Sequence, residues 1–551
     1  MTLAALLPLM TLAAPAAPAQ QLTVLVREDD QLPGAGTLRF VDQLAVNDRG
    51  DWLVTADMEL PNSTGFGDFA LIGPNGVIIA PQTDLVGMPG VSADLYDAVG
   101  LTGEGDSVVI CDLIGVPIGQ RVALLVNGRV ERREGFPVDA VGLPPSAAWT
   151  FFFLGPLVSA RGRVVTFGDV EPTGSPPDQW AVVDHRIQGG TIVSAEAVLQ
   201  EGDPLPMQTG TLRRANVRAI SDGGHILYGA TGGPNGEVLY LDDTLLAERG
   251  QPSVVPGRPW TNFIGTAKGD VNSSGQYVFV ERIVGDSATE WVIVKDGALF
   301  RQSGDTLPAI APFVIETFRT SLASLTDRPQ ITESGAVLWS ATWDDPTPGR
   351  GRGVFLDDRL IIEPGVTMAG SEVVRGVDGR TMRISPNGRW LIFRGQVSAP
   401  GQLNDEAAIL MDLGEGMPVC APSVPNSTGA SAEITALAPV VAAGSPLQLV
   451  AHDLPLQRTG YFLVAPQTGF VVQPGGSQGT LCLSGSIGRF IGQTMSTGTA
   501  GYLRATVDTS LLPLSPNRPV LAGETWTFQG WYRDDNPTPT SNFTSAVSVM
   551  F

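Results

Sequence analysis

Positive charge is scarce in this chain. Lys and Arg together number 34 against 56 Asp and Glu, a formal charge of -22, so the basic stripe that neutralises nucleic-acid phosphates or anionic lipid heads is missing. Nucleic acid is not an expected partner. Charge of either sign is sparse, at 16% of residues, while Gly (66) and Pro (43) are plentiful. That balance suits short strands joined by tight turns and suits long helices poorly. Histidine is limited to His185, His225 and His452, far apart and without the spacing of a metal site or a nucleophile and base, so solvated or structural roles are expected for them. No Gly-x-Ser-x-Gly elbow with its supporting motifs, phosphate-cradling loop or dinucleotide fingerprint occurs. No catalytic, cofactor-binding or metal-binding residue is therefore assigned, and no cofactor is expected.

Long apolar runs are also lacking beyond the first residues. The best later candidate, Ala436 to Ala451, is cut by Pro439 and Pro446, so no membrane span is expected in the mature chain. Met1 to Ala19 is apolar, rich in Ala and Leu, and ends in Ala17-Pro18-Ala19 before Gln20, which is the small-x-small pattern of a signal-peptidase site. A signal peptide over 1–19 follows as the expectation, and with it a secreted or cell-surface location. No Lys or Arg precedes Arg27, so the true start is expected upstream. Pro8, Pro15 and Pro18 argue against a buried N-terminal helix.

A chain of 551 residues exceeds what one core organises, and an internal repeat supplies the organisation. An apolar residue, then Asn, Ser or Thr, two residues, Gly, one residue and a mostly apolar run recur seven times. The copies begin at Val46-Asn47, Leu101-Thr102, Val158-Ser159, Ile220-Ser221, Val271-Asn272, Ile331-Thr332 and Ile384-Ser385, 51 to 62 residues apart. Their glycines are Gly50, Gly105, Gly162, Gly224, Gly275, Gly335 and Gly388. This is the chemistry of a tight hairpin turn: the polar side chain bonds to nearby backbone and Gly takes a positive φ. A second hairpin follows in each copy, as in Trp291 to Val294 and Ala298 to Phe300 across Lys295-Asp296-Gly297. About four strands per copy, repeated in this way, predict an all-β fold with a seven-bladed β-propeller over 20–413. The seventh copy reaches Ala408-Ile409-Leu410-Met411 and lacks an outer strand, whereas Leu22-Thr23-Val24-Leu25-Val26 supplies one at the other end. Pairing of the two would close the ring and hide two sheet edges.

From Gly414 the period stops and small residues, Pro and Gly take over. The stretches Thr525 to Arg533 and Ala546 to Phe551 read as strands, so 414–551 is expected to be a C-terminal β-sandwich module. Three cysteines leave one over; Cys420 and Cys482 share this module while Cys111 lies in the second copy, so Cys420–Cys482 is the expected structural disulfide. Free buried thiols are the alternative.

The seven copies resemble the tandem repeat of secreted bacterial "choice-of-anchor" proteins, whose signature is Asn-x-x-Gly followed by an apolar strand with Phe. Asn47 to Gly50 and Asn272 to Gly275 fit directly, and the other five copies carry Ser or Thr. The stretch from Cys420 to Gly429, through Gly460-Tyr461-Phe462 and Cys482, to Gly523-Glu524-Thr525-Trp526 and Trp531-Tyr532-Arg533-Asp534 is similar to a module that ends many exported bacterial proteins. The resemblance covers nearly the whole mature chain and implies a secreted or surface location; it brings no activity.

Acidic pairs remain as candidate chemistry. A propeller can converge two carboxylates for glycoside cleavage, but Asp242-Asp243, Asp344-Asp345 and Asp357-Asp358 are expected in turns. Asp534-Asp535-Asn536 with Asn542 offers oxygen ligands for calcium without the spacing of an EF-hand loop, and a polar turn is the expectation. Of the ten tryptophans, most fall in strands and are read as core. The reading that follows is a monomeric, non-enzymatic extracellular binding or adhesion scaffold whose partner is a polymer or protein. A propeller hydrolase or lyase acting on extracellular polysaccharide, and a structural component of the cell envelope, are the alternatives.

Overall fold

The computed structural model describes residues 21–551 apart from 62–67, 153–156, 172–178, 234–235, 262–267, 320–326, 348–350, 400–403 and 438–445, with 95, 97 and 152 described by backbone only. The expected signal peptide at Met1 to Ala19, and Pro439, lie outside the described residues. The described chain is all-β, and its helical turns are three short 3-10 segments.

Each signature turn is followed by a strand that forms the second of a meander. In the fourth copy, Arg214–Ile220, Ile226–Gly233, Gly236–Leu241 and Thr244–Glu248 pair antiparallel in chain order. The fifth copy does the same with Lys268–Val271, Tyr277–Arg282, Trp291–Lys295 and Ala298–Gln302. The remaining copies add one short strand to this plan, so that seven sheets of four or five strands occupy Gln21 to Asp412 among the described residues. The inner strands are apolar on both sides, as in Val337–Trp343 and Val122–Val126, because each sheet is covered on two faces.

What covers them is the next sheet. One apolar cluster joins Leu53 and Leu71 of the first sheet to Val109 and Leu125 of the second, and five more clusters link each later sheet to its successor. A further cluster joins Ile392 and Ala408 of the last sheet to Val54, Ala56 and Ile72 of the first. The succession of cores is therefore a closed cycle.

The N-terminal strand takes part in that closure. Gln21–Arg27 pairs antiparallel with Asp405–Asp412, with Thr23 opposite Leu410 and Val24 opposite Ile409. Leu22 and Val26 are buried, and Arg27 forms a bidentate pair with Glu372 at 2.9 and 2.8 Å. The outer edge that the seventh copy leaves open is thus filled from the other end of the sequence.

After Asp412 the chain builds different sheets. Met417–Val419, Pro539–Met550, Thr525–Asp535 and Thr459–Ala465 pair side by side, with two short strands at the margin. A three-stranded sheet of Glu433–Leu437, Pro446–His452 and Leu503–Asp508 lies against it. One core, including Leu449, Leu503, Phe462, Trp526 and Phe528, draws on both sheets. Cys420 and Cys482 are joined in a disulfide, while Cys111 is buried within Ser107–Ile114.

Candidate functional site

The signature glycines all carry the positive φ that the turn demands: Gly50, Gly105, Gly162, Gly224, Gly275, Gly335 and Gly388 lie between 73 and 96°. The polar residue three positions before each Gly has a definite task. In six copies its side-chain oxygen accepts the amide proton of the residue four or five positions on, as from Asp51 to Asn47 at 2.9 Å, Asp106 to Thr102 at 2.9 Å, and Trp390 to Ser385 at 3.0 Å. The copies at Ser159, Asn272 and Thr332 follow suit at 3.2, 3.0 and 3.1 Å. A hydroxyl meets the same need as an amide oxygen, which explains why Ser and Thr replace Asn. The exception is Ser221, whose Oγ is buried without a partner.

These turns also link to one another. Asn47 Nδ2 donates to the Thr102 carbonyl at 3.1 Å, the Gly103 amide to Ala160 at 2.7 Å, and the Arg161 amide to Asp222 at 2.8 Å. A Cβ at Gly223 would stand 2.1 Å from the Ser273 carbonyl oxygen, so only glycine permits that approach. Asn272 Nδ2 donates to Thr332 at 3.0 Å, the Glu333 amide to Pro386 at 2.7 Å, and the Asn387 amide to Asp48 at 2.7 Å. The last bond returns the series to the first copy.

On top of these turns sits the C-terminal region. Tyr502 Oη donates to Asp48 at 2.7 Å, and the acid is buried. Arg161 donates to the carbonyls of Ala500 at 2.6 Å and Leu454 at 3.0 Å. Arg504 donates to Ser274 at 2.8 Å and Ser273 at 2.6 Å, and pairs with buried Glu333. Burial pushes the carboxyls of Asp48, Asp222 and Glu333 above their ordinary range. For His452, burial opposes protonation, but the hydrogen bond that its Nδ1 donates to Asp453 at 3.2 Å and the nearby Asp48 charge outweigh it and hold the imidazole above its usual value. A groove of about 800 Å³ runs along this contact, lined among others by Arg49, Glu104, Arg186, Thr428 and Tyr502.

Beneath the turns, a cavity of about 260 Å³ is lined by residues of all seven sheets. Copies one to three contribute uncharged residues such as Gln43, Ala98 and Leu157, whereas Asp222, Asp270, Arg328, Glu333 and Arg383 come from the later copies. Asp270 accepts from Arg328 at 3.0 Å and from the Ile331 amide at 3.1 Å. Burial, with the Arg328 charge beside it, lowers the Arg383 guanidinium to about 10.

The residues that the sequence singled out are dispersed. His185 is buried in the third sheet against Thr166 Oγ1 at 2.9 Å, and burial holds it neutral with a pKa of about 3. His225 meets Asp242 at 2.7 Å; His452 lies at the contact just described. Asp242 and Asp357 occupy hairpin turns at φ 51°, where their carboxylates accept the amide protons of Ile226 at 2.8 Å and Val337 at 2.9 Å. Asn127 and Asp296 repeat that bond to Ser107 and Tyr277, both at 2.9 Å. Asp344 accepts from the Val314 amide at 2.7 Å, and Asp345 from Thr347 at 2.9 Å. Asp534 accepts from Ser427 at 3.2 Å, Asp535 pairs with Arg458, and Asn536 and Asn542 both donate to the Pro425 carbonyl, at 3.5 and 3.4 Å, so the suggested calcium ligands are engaged by protein partners. Trp149, Trp339 and Trp526 are fully buried, with Trp180, Trp260 and Trp343 close behind. Sequence reasoning missed Asp48, Asp222 and Glu333, each directly after its signature residue; an acid recurring at one repeat position was the available signal.

No family model and no curated protein matches the chain. Among solved structures, it is similar to a subtype N11 neuraminidase-like protein of A/flat-faced bat/Peru/033/2010, at 11% identity over 74% of this chain and 97% of that one, TM-score 0.29. It is also similar to a protein of unknown function from Dyadobacter fermentans, at 9% identity over 71% and 99%, TM-score 0.28. A third likeness, 9% identical over 94% and 82% with TM-score 0.22, is to PorZ, a surface component of the type-IX secretion system of Porphyromonas gingivalis. Superpositions this loose carry neither fold nor function, and the reading below rests on the chain itself.

Proposed function

We propose that this chain is an exported, non-enzymatic extracellular binding or adhesion scaffold. In this reading residues 1–19 are a signal peptide, 20–413 a seven-bladed β-propeller closed by its N-terminal strand, and 414–551 a C-terminal β-sandwich docked on one end of the ring. The closed cycle of seven apolar clusters supports the propeller, and a core shared by two sheets supports the sandwich. The apolar segment ending in Ala17-Pro18-Ala19 and the Cys420–Cys482 bridge support an oxidising, extracellular setting.

The observation that carries the scaffold reading is the use made of the turn face. Its buried acids, Asp48, Asp222 and Glu333, are each taken up by Tyr502, by the Arg161 amide or by Arg504. A general acid needs a free approach to substrate, whereas Asp48 and Glu333 are spent on holding the module and Asp222 on linking neighbouring turns. The ring end opposite the module is the one left for a partner, an extracellular polymer or protein.

The deciding experiment is to incubate the mature chain, from Gln20, with an array of extracellular polysaccharides and envelope polymers, scoring retention and released products together. Retention without products is the expected outcome. Released products overturn the reading in favour of a hydrolase or lyase, and absence of both moves it to a structural envelope component.

A further inference from the structure

The longest uncharged stretch of the chain ends up on an open sheet edge. No charged residue lies between Arg458 and Arg489 in a chain of net charge -22, and within that stretch Gln467–Val472 and Thr480–Ser484 form a two-stranded sheet. The second strand is the inner one. Its Cys482 and Leu483 are buried, and Leu483 packs with Leu463, Ala465 and Phe543 of the larger sheet. The first strand stays outside. Among the described residues it is paired to Thr480–Ser484 alone, and its Phe470, Val471 and Val472 are 71, 49 and 61% exposed. Three consecutive apolar residues in the open, beside a row of unpaired backbone groups, are a template for one more strand.

The edge is also held ready. In the hairpin turn the Gln478 amide donates to the Ser541 carbonyl at 2.9 Å, and the Cys420–Cys482 bridge ties the inner strand to the start of the C-terminal region, so little freedom is left to lose on pairing. A bulge between Thr468 and Val471 bends the strand, but neither a charge nor a proline within it guards the edge. Two features select the occupant. Choice of a foreign partner draws on charge complementarity, and this edge offers no charge to match. A second copy needs none, because an antiparallel edge meets itself across a two-fold axis with the same residues on both sides. Two chains of -22 that repel elsewhere can come together here without bringing like charges into contact.

We propose that Gln467–Val472 is a homotypic docking edge, on which a second copy of this chain lays the same strand antiparallel, Val471 facing Val471 and Phe470 facing Val472. The two hairpins then form one four-stranded sheet. The exposed strand offers on the order of 400 Å² per copy, below the roughly 800 Å² per partner of a standard complex, so the dimer is reversible, with a Kd of about 10 to 100 μM. This contact is separate from the ring end offered to a partner, and it stands whether or not that end binds polymer.

The test is sedimentation equilibrium of the mature chain. A monomer and dimer in exchange, with no larger species, are expected, and raising NaCl from about 50 to about 500 mM should tighten the dimer about threefold by screening the repulsion between copies. Val471→Lys and Val471→Glu should each weaken it at least about tenfold by setting like charges face to face, with melting unchanged, and an equimolar mixture of the two should return to within about threefold of the wild type. Should the variants fail to fold, the salt response of the wild type still decides. A wild type that stays monomeric at about 500 μM, a dimer that weakens as salt rises, one that persists in a folded Val471→Lys variant, or a mixture no tighter than the single variants would each overturn the proposal. A monomer that instead binds a synthetic Thr-Val repeat peptide would also overturn it and assign the edge to a foreign strand.

Discussion

The repeated sheets and the C-terminal region are stabilised by different means. The former gain cohesion from repetition: each sheet hides its faces on two neighbours, and turn after turn hands a hydrogen bond to the next. The C-terminal region has a core of its own, a disulfide, and a handful of polar anchors to the turns beneath. Repetition makes every link dependent on closure, whereas a separate core can yield alone. Damage to the ring should therefore spread, and damage to the module should stay local.

The largest effect is expected from removing the closing strand. Deletion of Gln20 to Asp30 exposes the edge at Asp405–Asp412 and removes buried Leu22 and Val26, a loss of about 4 kcal/mol from those two side chains. Calorimetry should show a single large fall in the melting of the repeated sheets; an unchanged melt would mean that closure does not depend on this strand. Next, the Cys420→Ser, Cys482→Ser double variant should lose about 3 kcal/mol. Only the transition of the C-terminal region is expected to move, and a matching shift of the ring would break the comparison by making the two a single cooperative unit.

A smaller, sharper probe addresses the contact between them. Arg504→Ala strands Glu333, whose side chain is 5% exposed, at a cost of about 2 kcal/mol. Loosening should appear as faster proteolysis near the dock with the core of each part intact, and Glu333→Gln added to Arg504→Ala should recover part of the loss. If neither variant alters proteolysis, the dock is held by apolar contacts such as Leu437 against Gly388 and the polar anchors are incidental.

How much of this could be read beforehand follows the same division. Gly50 and its six equivalents were legible because a positive φ leaves a local mark in sequence, and Leu22 to Val26 because the seventh copy lacks the strand that the N-terminus offers. Turn assignments for Asp242 and Asp357 were legible for the same local reason. The dock was not: Tyr502 and Asp48 are 454 positions apart, and nothing near either residue announces the other. The cavity beneath the turns is equally mute, since a space lined by residues of all seven sheets depends on how the copies converge and not on any motif.

The gentlest test of the contrast is pH, because the dock concentrates groups whose protonation the folded state favours. Asp48, Asp222 and Glu333 hold their protons to higher pH when folded, and so does His452. A group whose folded pKa is raised contributes stability below its unfolded value and loses it as pH rises through the folded one. For the carboxyls that window opens above about pH 4, and for His452 above about pH 6.5. Asp453 works the other way: its pKa is lowered by the His452 bond against the opposing effect of burial, so its contribution is present at neutral pH and is lost as pH falls below about 4. The contact should accordingly be tightest near pH 4 and loosen by about 1 kcal/mol or more towards pH 8, on the scale of one unit of pKa. Proteolysis of the dock measured from pH 5 to 8.5 should accelerate with pH, and His452→Gln should flatten the upper part of that profile while leaving the melting of the repeated sheets in place. A flat profile in the wild type would mean that the buried acids are matched so well by Tyr502, Arg161 and Arg504 that their protonation no longer distinguishes the docked state from the free one.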